Sequence, residues 1–329
     1  MVTILGMRTR TAIAAALAAD TGWVSGEVLA RRLGISRAAV AKQVKVLQAA
    51  GYAIDAAPRR GYHLVAAPDK LLPERMAPWL QTAVFGRGLI VHAETLASTN
   101  AEAARRAAEG CAEGTLVVAE TQTAGRGRRG RHWESPPGAG IYTSLVLRPD
   151  LPLDRVPLLT LLTAVAAAEA VHAATGEAPQ IKWPNDLLFK GRKIAGVLIE
   201  VASEIDAVAY AVIGLGMNVN TAPASLPARP LYPASSLRAE LGRAVDRAQL
   251  LAGWLNRMEV WYRRLAAADG DVRLVARWRA LAGTLGRTFT VNTGRETIRG
   301  CAVDLDADGA LIVADDTGER RRILSGDLA

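Results

Sequence analysis

Cysteine is almost missing from this 329-residue chain. Cys111 and Cys301 stand alone, which gives neither a disulfide framework nor a metal site and suits a reducing cytoplasm. No apolar run reaches membrane-spanning length, and there is no internal repeat or low-complexity linker. Arg8 and Arg10 ahead of the alanine-rich run 12–19 imitate a secretory signal, but Ile13 and Leu17 fall at helical spacing and the run leads into another helical pattern, so a first helix is expected. Lysine is scarce too, six of forty basic residues. Where arginine is the default cation, a lysine hints that a compact ammonium is wanted, and Lys182, Lys190 and Lys193 fall within one short stretch.

What is present in excess is positive charge, +8 overall, and it is unevenly placed. Residues 1–67 carry Arg8, Arg10, Arg31, Arg32, Arg37, Lys42, Lys45, Arg59 and Arg60 against Asp20, Glu27 and Asp55, nine minus three or +6 of that total. A small basic module therefore precedes a nearly neutral body, the footprint of a nucleic-acid-binding domain. Its boundary is expected near Ala66-Ala67-Pro68-Asp69.

Within the module, Ser25 can cap a helix that ends at Gly34, and Ser36 a second helix from Arg37 to about Ala49, closed by Gly51. Two short helices on so brief a turn predict a helix-turn-helix. Val40, Val44 and Leu47 share the inward stripe of the second helix, which leaves Ser36, Arg37, Ala38, Ala41, Lys42 and Lys45 for the major groove. Residues 52–57 and 61–65 read as a hairpin around Pro58-Arg59-Arg60, a basic wing able to reach backbone phosphates.

The body opens with a strand at 89–92 and a helix capped by Ser98 or Thr99, whose polar junction with Asn100 can either bind a small polar ligand or merely cap. Beyond a further strand at 115–119 runs Gln122-Thr-Ala-Gly-Arg-Gly-Arg-Arg-Gly-Arg-His-Trp133, the most informative stretch of the chain. Its glycines at 125, 127 and 130 allow closure, and Arg126, Arg128, Arg129 and Arg131 can clamp phosphate oxygens, so a polyanion-binding lid is expected. The spacing also satisfies the dinucleotide fingerprint. That motif needs a helix directly after the glycines, and Pro136-Pro137-Gly138 forbids one.

Further strands are expected at 141–147, 194–200 and 211–218, with a buried helix from Pro157 to about Ala174. Lys182-Trp183-Pro184-Asn185-Asp186 places a carboxylate and an amide in an exposed turn, able to hold hydrated Mg²⁺ on phosphate oxygens or to be an ordinary Asx turn. Lys193 lies at the mouth of a buried strand. Helices over 247–267 and 272–282 bring Trp254, Trp261 and Trp278 to the core, and the short strands from Thr284 onward suit a small β-barrel.

Taken together, these residues resemble the bifunctional biotin–protein ligases that also repress biotin biosynthesis genes. The resemblance rests on the winged helix, Ser98-Thr99-Asn100, Gly125 to Arg131, Lys182 to Asp186, Arg192 to Gly196, Gly214 to Asn218 and the terminal barrel. It implies an α+β chain of three parts: a winged helix-turn-helix over 1–67, a mixed-sheet ligase domain like the class II synthetases over 68–283, and an SH3-like barrel over 284–329. It also implies a reaction, the joining of biotin to ATP to give biotinyl-5′-AMP and the passing of the biotinyl group to a lysine of biotin carboxyl carrier protein. Operator DNA and a homodimer in the adenylate-bound state are the implied partners.

Carried over by residue, Ser98, Thr99, Asn100, Gln122, Gly125 and Gly196 would line the biotin pocket, and Arg126, Gly127 and Arg128 would form the loop ordering over biotin and adenylate. Lys193 and Arg128 would be catalytic, Lys193 as an electrostatic stabiliser. Trp133, Asn185, Asp186 and Asn218 would lie near the adenylate, with Asp186 toward Mg²⁺. The chain departs from the family by stopping at Leu328-Ala329, so adenine contacts from a longer tail are not carried over. Two other readings stay open: a lipoate or octanoyl transferase, for which Cys111 has no recognisable partner, and a ligand-sensing repressor with an inactive ligase body.

Overall fold

The computed structural model describes residues 4–204, 207–227, 233–294 and 296–328. They form two compact units, Met1–Leu80 and Gln81–Ala329.

The first unit is built from helices α1 (Ile4–Ala18), α2 (Gly26–Leu33), α3 (Arg37–Ala49) and α4 (Pro73–Met76), with the hairpin β1 (Ala53–Ala57) and β2 (Gly61–Ala66). Both expected caps form: Ser25 Oγ accepts from Glu27 N–H and Ser36 Oγ from Ala39 N–H at 3.1 Å, while Gly34 ends α2 in the left-handed region. Ile13 and Leu17 of α1 pack with Leu29, Val40, Val44 and Leu47 in one core. Val24 bridges the hairpin on its β2 side, exchanging backbone hydrogen bonds of 2.8 and 2.9 Å with Tyr62. Gly61 is required there, since a Cβ would stand 2.2 Å from the Val24 carbonyl and φ is +100°.

The expected boundary near residue 67 is too early. Leu72 joins the helical core, Leu71 and Met76 are fully buried, and Glu74 accepts a charge-assisted hydrogen bond from Arg10. Ending the module at 67 would strand that apolar surface, so it closes at Leu80.

The second unit carries a seven-stranded mixed sheet in the order β3-β4-β5-β9-β8-β7-β6. Its strands are β3 (Ile90–Leu96), β4 (Leu116–Gln122), β5 (Gly140–Leu147), β6 (Gln180–Lys182), β7 (Asp186–Phe189), β8 (Arg192–Glu204) and β9 (Ala207–Asn218). Among the described strand pairs of this sheet β3–β4 is parallel and the others are antiparallel. Helix α5 (Thr99–Ala108) lays Ala103 and Ala107 on Val117, Val146 and Val212. The apolar helix α6 (Val156–Thr175) is long enough to cross a membrane, yet most of it is buried inside the fold. It packs with α8 (Arg247–Leu265) and α9 (Gly270–Leu281), where Trp254, Trp261 and Trp278 are core as expected; the short α7 (Leu237–Leu241) precedes them.

Residues 284–328 form a five-stranded antiparallel sheet, β13-β12-β11-β10-β14. Its members are β10 (Thr288–Asn292), β11 (Thr297–Leu305), β12 (Leu311–Asp315), β13 (Arg320–Ile323) and β14 (Asp327–Leu328). The last, only two residues long, carries no strand pattern of its own, but it closes the sheet beside β10.

Candidate active site and nucleic-acid interface

In the first unit Val40, Val44 and Leu47 are buried, and Ser36, Arg37, Ala38, Lys42 and Lys45 are exposed. Among the described residues none of Arg37, Lys42 and Lys45 forms an ion pair, so the helix face carries bare positive charge. On the wing, Arg59 is exposed with φ of +63°, whereas Arg60 lies 4.3 Å over the ring of Trp23, itself stacked on His63 at 5.8 Å.

In the second unit a cavity of about 290 Å³ gathers most of the expected ligand-binding residues: Ser98, Thr99, Asn100, Gln122, Arg126, Gly127, Arg128, Trp133, Asn185, Asp186, Lys193, Gly196 and Asn218. Gly125 is not among its lining residues. A Cβ on Gly125 would meet the Trp133 carbonyl at 2.5 Å, so its part is to let the loop's two limbs approach. The loop is a tight hairpin: Trp133 N–H donates to Gly125 O at 3.0 Å and Gly127 N–H to Arg131 O at 2.7 Å. Arg129 and Gly130, both at positive φ, turn its tip.

One end of the cavity is polar and neutral. Thr99 N–H donates to Gln122 Oε1 at 2.8 Å, and Gln122 Nε2 donates to Ser135 Oγ at 3.1 Å, which fixes the orientation of that amide. Ser98 caps α5 as expected. Asn100 spends its amide internally, accepting from Ser144 Oγ at 2.6 Å and donating to Glu200 Oε2 at 2.7 Å. It therefore positions its neighbours. Ser144, Ser135 and Glu200 went unnoticed in the sequence because single polar residues in strands and loops carry no local signature.

The middle of the cavity is a floor without side chains. Gly196 of β8 and Gly216 of β9 are direct register partners, so two bare positions lie side by side. The Trp133 indole fills the depression: a Cβ on Gly216 would stand 2.6 Å from Trp133 Cε2 and one on Gly196 3.2 Å from Cζ3. Next along the sheet, Gly214 makes the room that Asn100 Oδ1 occupies. The Trp133 indole Nε1–H is buried with no hydrogen-bond partner, a cost of about 1–3 kcal/mol that a ligand acceptor can relieve.

The other end is cationic, and a β-bulge arranges it. Asp186 pairs with Gly196 and Leu187 with Ala195, but Leu188 pairs with Lys193, so Ile194 is the extra residue. Without the bulge Lys193 and Gly196, three apart, would point to opposite faces; with it both face the cavity. Lys193 Nζ then reaches Asp186 Oδ1 at 2.7 Å and lies 5.6 Å from the Trp133 ring centre.

Asn185 is buried, contrary to the exposed turn expected, because its amide donates to Val197 O at 2.7 Å and accepts from Arg128 Nη1 at 3.2 Å. Burial pushes the Arg128 guanidinium below its ordinary value, with Asp327 and Asp186 acting the other way, and burial likewise lowers the Lys182 ammonium. Arg126 is tied to Glu200 at 3.3 Å.

Magnesium requires a donor set. No group of three His, Cys, Asp or Glu among the described residues can hold an ion. Mg²⁺ usually keeps several waters and takes one or two carboxylates together with substrate phosphates. Asp186 fits that lesser role.

A basic helix-turn-helix unit and, in the second unit, a sheet domain whose cavity has a neutral polar end, a glycine floor and a cationic end define a class: a regulator that activates a small carboxylic acid. Family models agree, matching an HTH domain at residues 8–63, the biotin/lipoate A/B protein ligase family at 94–218 and a biotin protein ligase C-terminal domain at 284–328. The bifunctional ligase/repressor BirA of Bacillus subtilis is 38% identical over 310 residues, 94% of each chain, and that of Escherichia coli 31% identical over 308 residues, 92% of this chain and 91% of the other. A solved biotin protein ligase from Aquifex aeolicus, in complex with biotin and ATP, superimposes with a TM-score of 0.63 at 26% identity over 74% of this chain and 98% of that one. The chain belongs to the family of bifunctional biotin–protein ligase/repressors.

Proposed function

We propose that residues 81–329 join the carboxylate of biotin to ATP, releasing pyrophosphate, and then pass the biotinyl group to a lysine of biotin carboxyl carrier protein. The observation that carries this reading is a cavity with ordered ends: neutral hydrogen-bonding groups at Ser98, Thr99 and Gln122, the Trp133 indole lying on the Gly196–Gly216 floor, then Lys193, Arg128 and Lys182. A ureido head needs neutral donors and acceptors, a thioether ring needs a flat apolar bed, and an activated carboxylate needs cations.

The chemical difficulty is bringing two anions together. As the biotin carboxylate oxygen attacks the α-phosphorus and the pyrophosphate oxygen departs, charge grows on the phosphoryl oxygens; fixed cations in a dry site stabilise it. Lys193 serves as that stabiliser, with Asp186 as its counter-ion until the substrates arrive. Arg128, half-buried and donating to Asn185, is held ready with little freedom left to lose. Trp133, Asn185, Asp186 and Asn218 lie toward the adenylate. Asp186 would be the residue to hold Mg²⁺, and the ion would supply charge neutralisation to the departing pyrophosphate. In the second step the carrier's lysine amine attacks the carbonyl and AMP leaves, while the closed arginine hairpin keeps water from the mixed anhydride.

The α3 face and the wing bind operator DNA, and the adenylate-bound protein represses as a homodimer because paired half-sites need two recognition helices. The free cysteines fit a cytoplasmic setting. Cys111 is not among the residues lining the cavity and its carbonyl accepts from Arg148, which leaves a cysteine-based acyl transferase without its nucleophile. One experiment tests the reading: purified protein, ATP and Mg²⁺ with biotin or lipoate, monitored for pyrophosphate. Biotin-dependent release is expected. Lipoate-dependent release would make the protein a lipoate-activating relative, and no release with either acid would leave a ligand-sensing repressor.

A further inference from the structure

The arginine hairpin is fastened to the terminal sheet by a set of contacts that the reaction itself does not require. Arg129 Nη1 donates to Asp327 Oδ2 at 3.1 Å, and Arg131 Nη2 donates to the same oxygen. Arg129 Nη2 donates to Asn292 O at 3.2 Å and Arg128 Nη2 to Ser325 Oγ at 3.0 Å. Beside them Lys182 Nζ donates to Leu328 O at 2.9 Å. Asp327 and Leu328 are β14, held in register on Asn292 and Val291 of β10, and Gly326, Asp327 and Leu328 all line the cavity.

A carboxylate oxygen taking one hydrogen bond from each of two guanidiniums presents what a phosphate oxygen would present to the same groups. Burial alone would raise the Asp327 carboxyl, but the Arg131 hydrogen bond and the charges of Arg131, Arg129 and Arg128 outweigh it, so the group stands below the usual carboxylate range and is anionic at neutral pH.

We propose that Asp327 is a tethered stand-in for the phosphates of ATP: in the ligand-free protein it holds Arg129 and Arg131 and pins the hairpin to the terminal sheet, and a bound polyphosphate takes its place. The proposal rests on the reading that this hairpin receives the ATP phosphates. It gives the terminal sheet a part in the reaction cycle. A tethered anion that competes with pyrophosphate weakens product binding and favours release after adenylate formation, while it keeps the hairpin folded between turnovers. Asp327 is a positioning residue, since it acts on the reacting groups through the arginines.

The test is direct binding of inorganic pyrophosphate, with Mg²⁺, to the full chain as wild type, Asp327→Asn and Asp327→Glu, read by calorimetry. Asp327→Asn is near-isosteric and should bind pyrophosphate more tightly, by about two- to five-fold, the scale of a partly exposed ion pair. Asp327→Glu should stay near wild type. In parallel, trypsin should cut the ligand-free hairpin after Arg129 or Arg131 faster in Asp327→Asn, and pyrophosphate should restore protection. A residue of structural importance alone would weaken binding when replaced, so the gain is diagnostic. Equal or weaker pyrophosphate binding by Asp327→Asn overturns the latch and leaves the seat intact. Pyrophosphate binding by neither protein overturns the seat and the latch together.

Discussion

Arg37, Lys42 and Lys45 on α3 face solvent with no ion-pair partner among the described residues, whereas every arginine of the 126–131 hairpin already has an ion-pair or hydrogen-bond partner: Arg126 and Glu200 form an ion pair, Arg128 donates to Asn185 and Ser325, and Arg129 and Arg131 share Asp327. The two regions look alike in composition, small residues interleaved with cations. Their physical states differ. Bare surface cations wait for a polyanion and gain by releasing its counter-ions, so their binding is steeply salt-dependent. Cations already held by the protein's own groups must exchange one partner for another, which fixes their geometry in advance and limits the net gain. Positive charge in a sequence therefore says that an anion is wanted, and only the fold says whether the protein has supplied it.

The largest break between the regions comes from removing one of them. A chain begun at Gln81 should keep biotin-dependent pyrophosphate release and lose specific operator binding, which typically exceeds non-specific binding by about 10³-fold or more. A chain begun at Pro68 should be less stable, because Leu71, Leu72 and Met76 would be exposed without their helical partners. Operator affinity equal to that of the full chain in the Gln81 protein would place the DNA surface elsewhere.

Within the cavity, Lys193→Ala should slow adenylate formation by about 10²-fold or more in a single turnover, the scale for removing one preorganised charge or donor. Lys193→Arg should also be impaired, because a planar guanidinium does not fit a site built for a point charge 2.7 Å from Asp186. Near-normal rates in both would take Lys193 out of the chemistry. A smaller effect is expected of Arg128→Gly, which loses charge-assisted hydrogen bonds. Preformed biotinyl-5′-AMP should dissociate about tenfold faster from it than from wild type, while adenylate formation suffers less; equal dissociation rates would reduce the hairpin to a basic turn.

The smallest effect sharpens the DNA side. Arg59→Ala should lower the slope of log operator affinity against log salt by roughly 0.9, the value of one phosphate contact. Arg60→Ala should change it less if Arg60 stays on Trp23 in the complex. Equal slope changes would mean that the guanidinium leaves the indole for a phosphate.

Features decided by neighbours in sequence were legible before the fold was known. Ser25, Ser36 and Ser98 each cap a helix through hydrogen bonds two or three residues away, and Val40, Val44 and Leu47 point inward because helical geometry alone puts them on one stripe. The strand beneath the hairpin, its failure to open a helix, and the three core tryptophans followed in the same way. What stayed hidden depends on tertiary register. The bulge at Ile194 turns Lys193 into the cavity although no residue in 192–196 announces it, and Asn100 became a positioning group only once Ser144 and Glu200 stood beside it. Asp327 lies 198 residues from Arg129, in a strand too short to show a pattern. The boundary at Leu80 was missed because the proline-led turn of α4 looks like a linker until its burial is seen.

The difference between the two basic regions can be read residue by residue in the ligand-free protein by limited labelling with an arginine-specific dicarbonyl and peptide mass analysis. The account predicts that Arg37 and Arg59 label fastest and that Arg128, Arg129 and Arg131 lag several-fold behind, with Asp327→Asn bringing Arg129 and Arg131 up toward the rate of Arg37. Hairpin arginines that label as fast as Arg37 in the wild-type protein would contradict it, since their internal partners would then not be holding them.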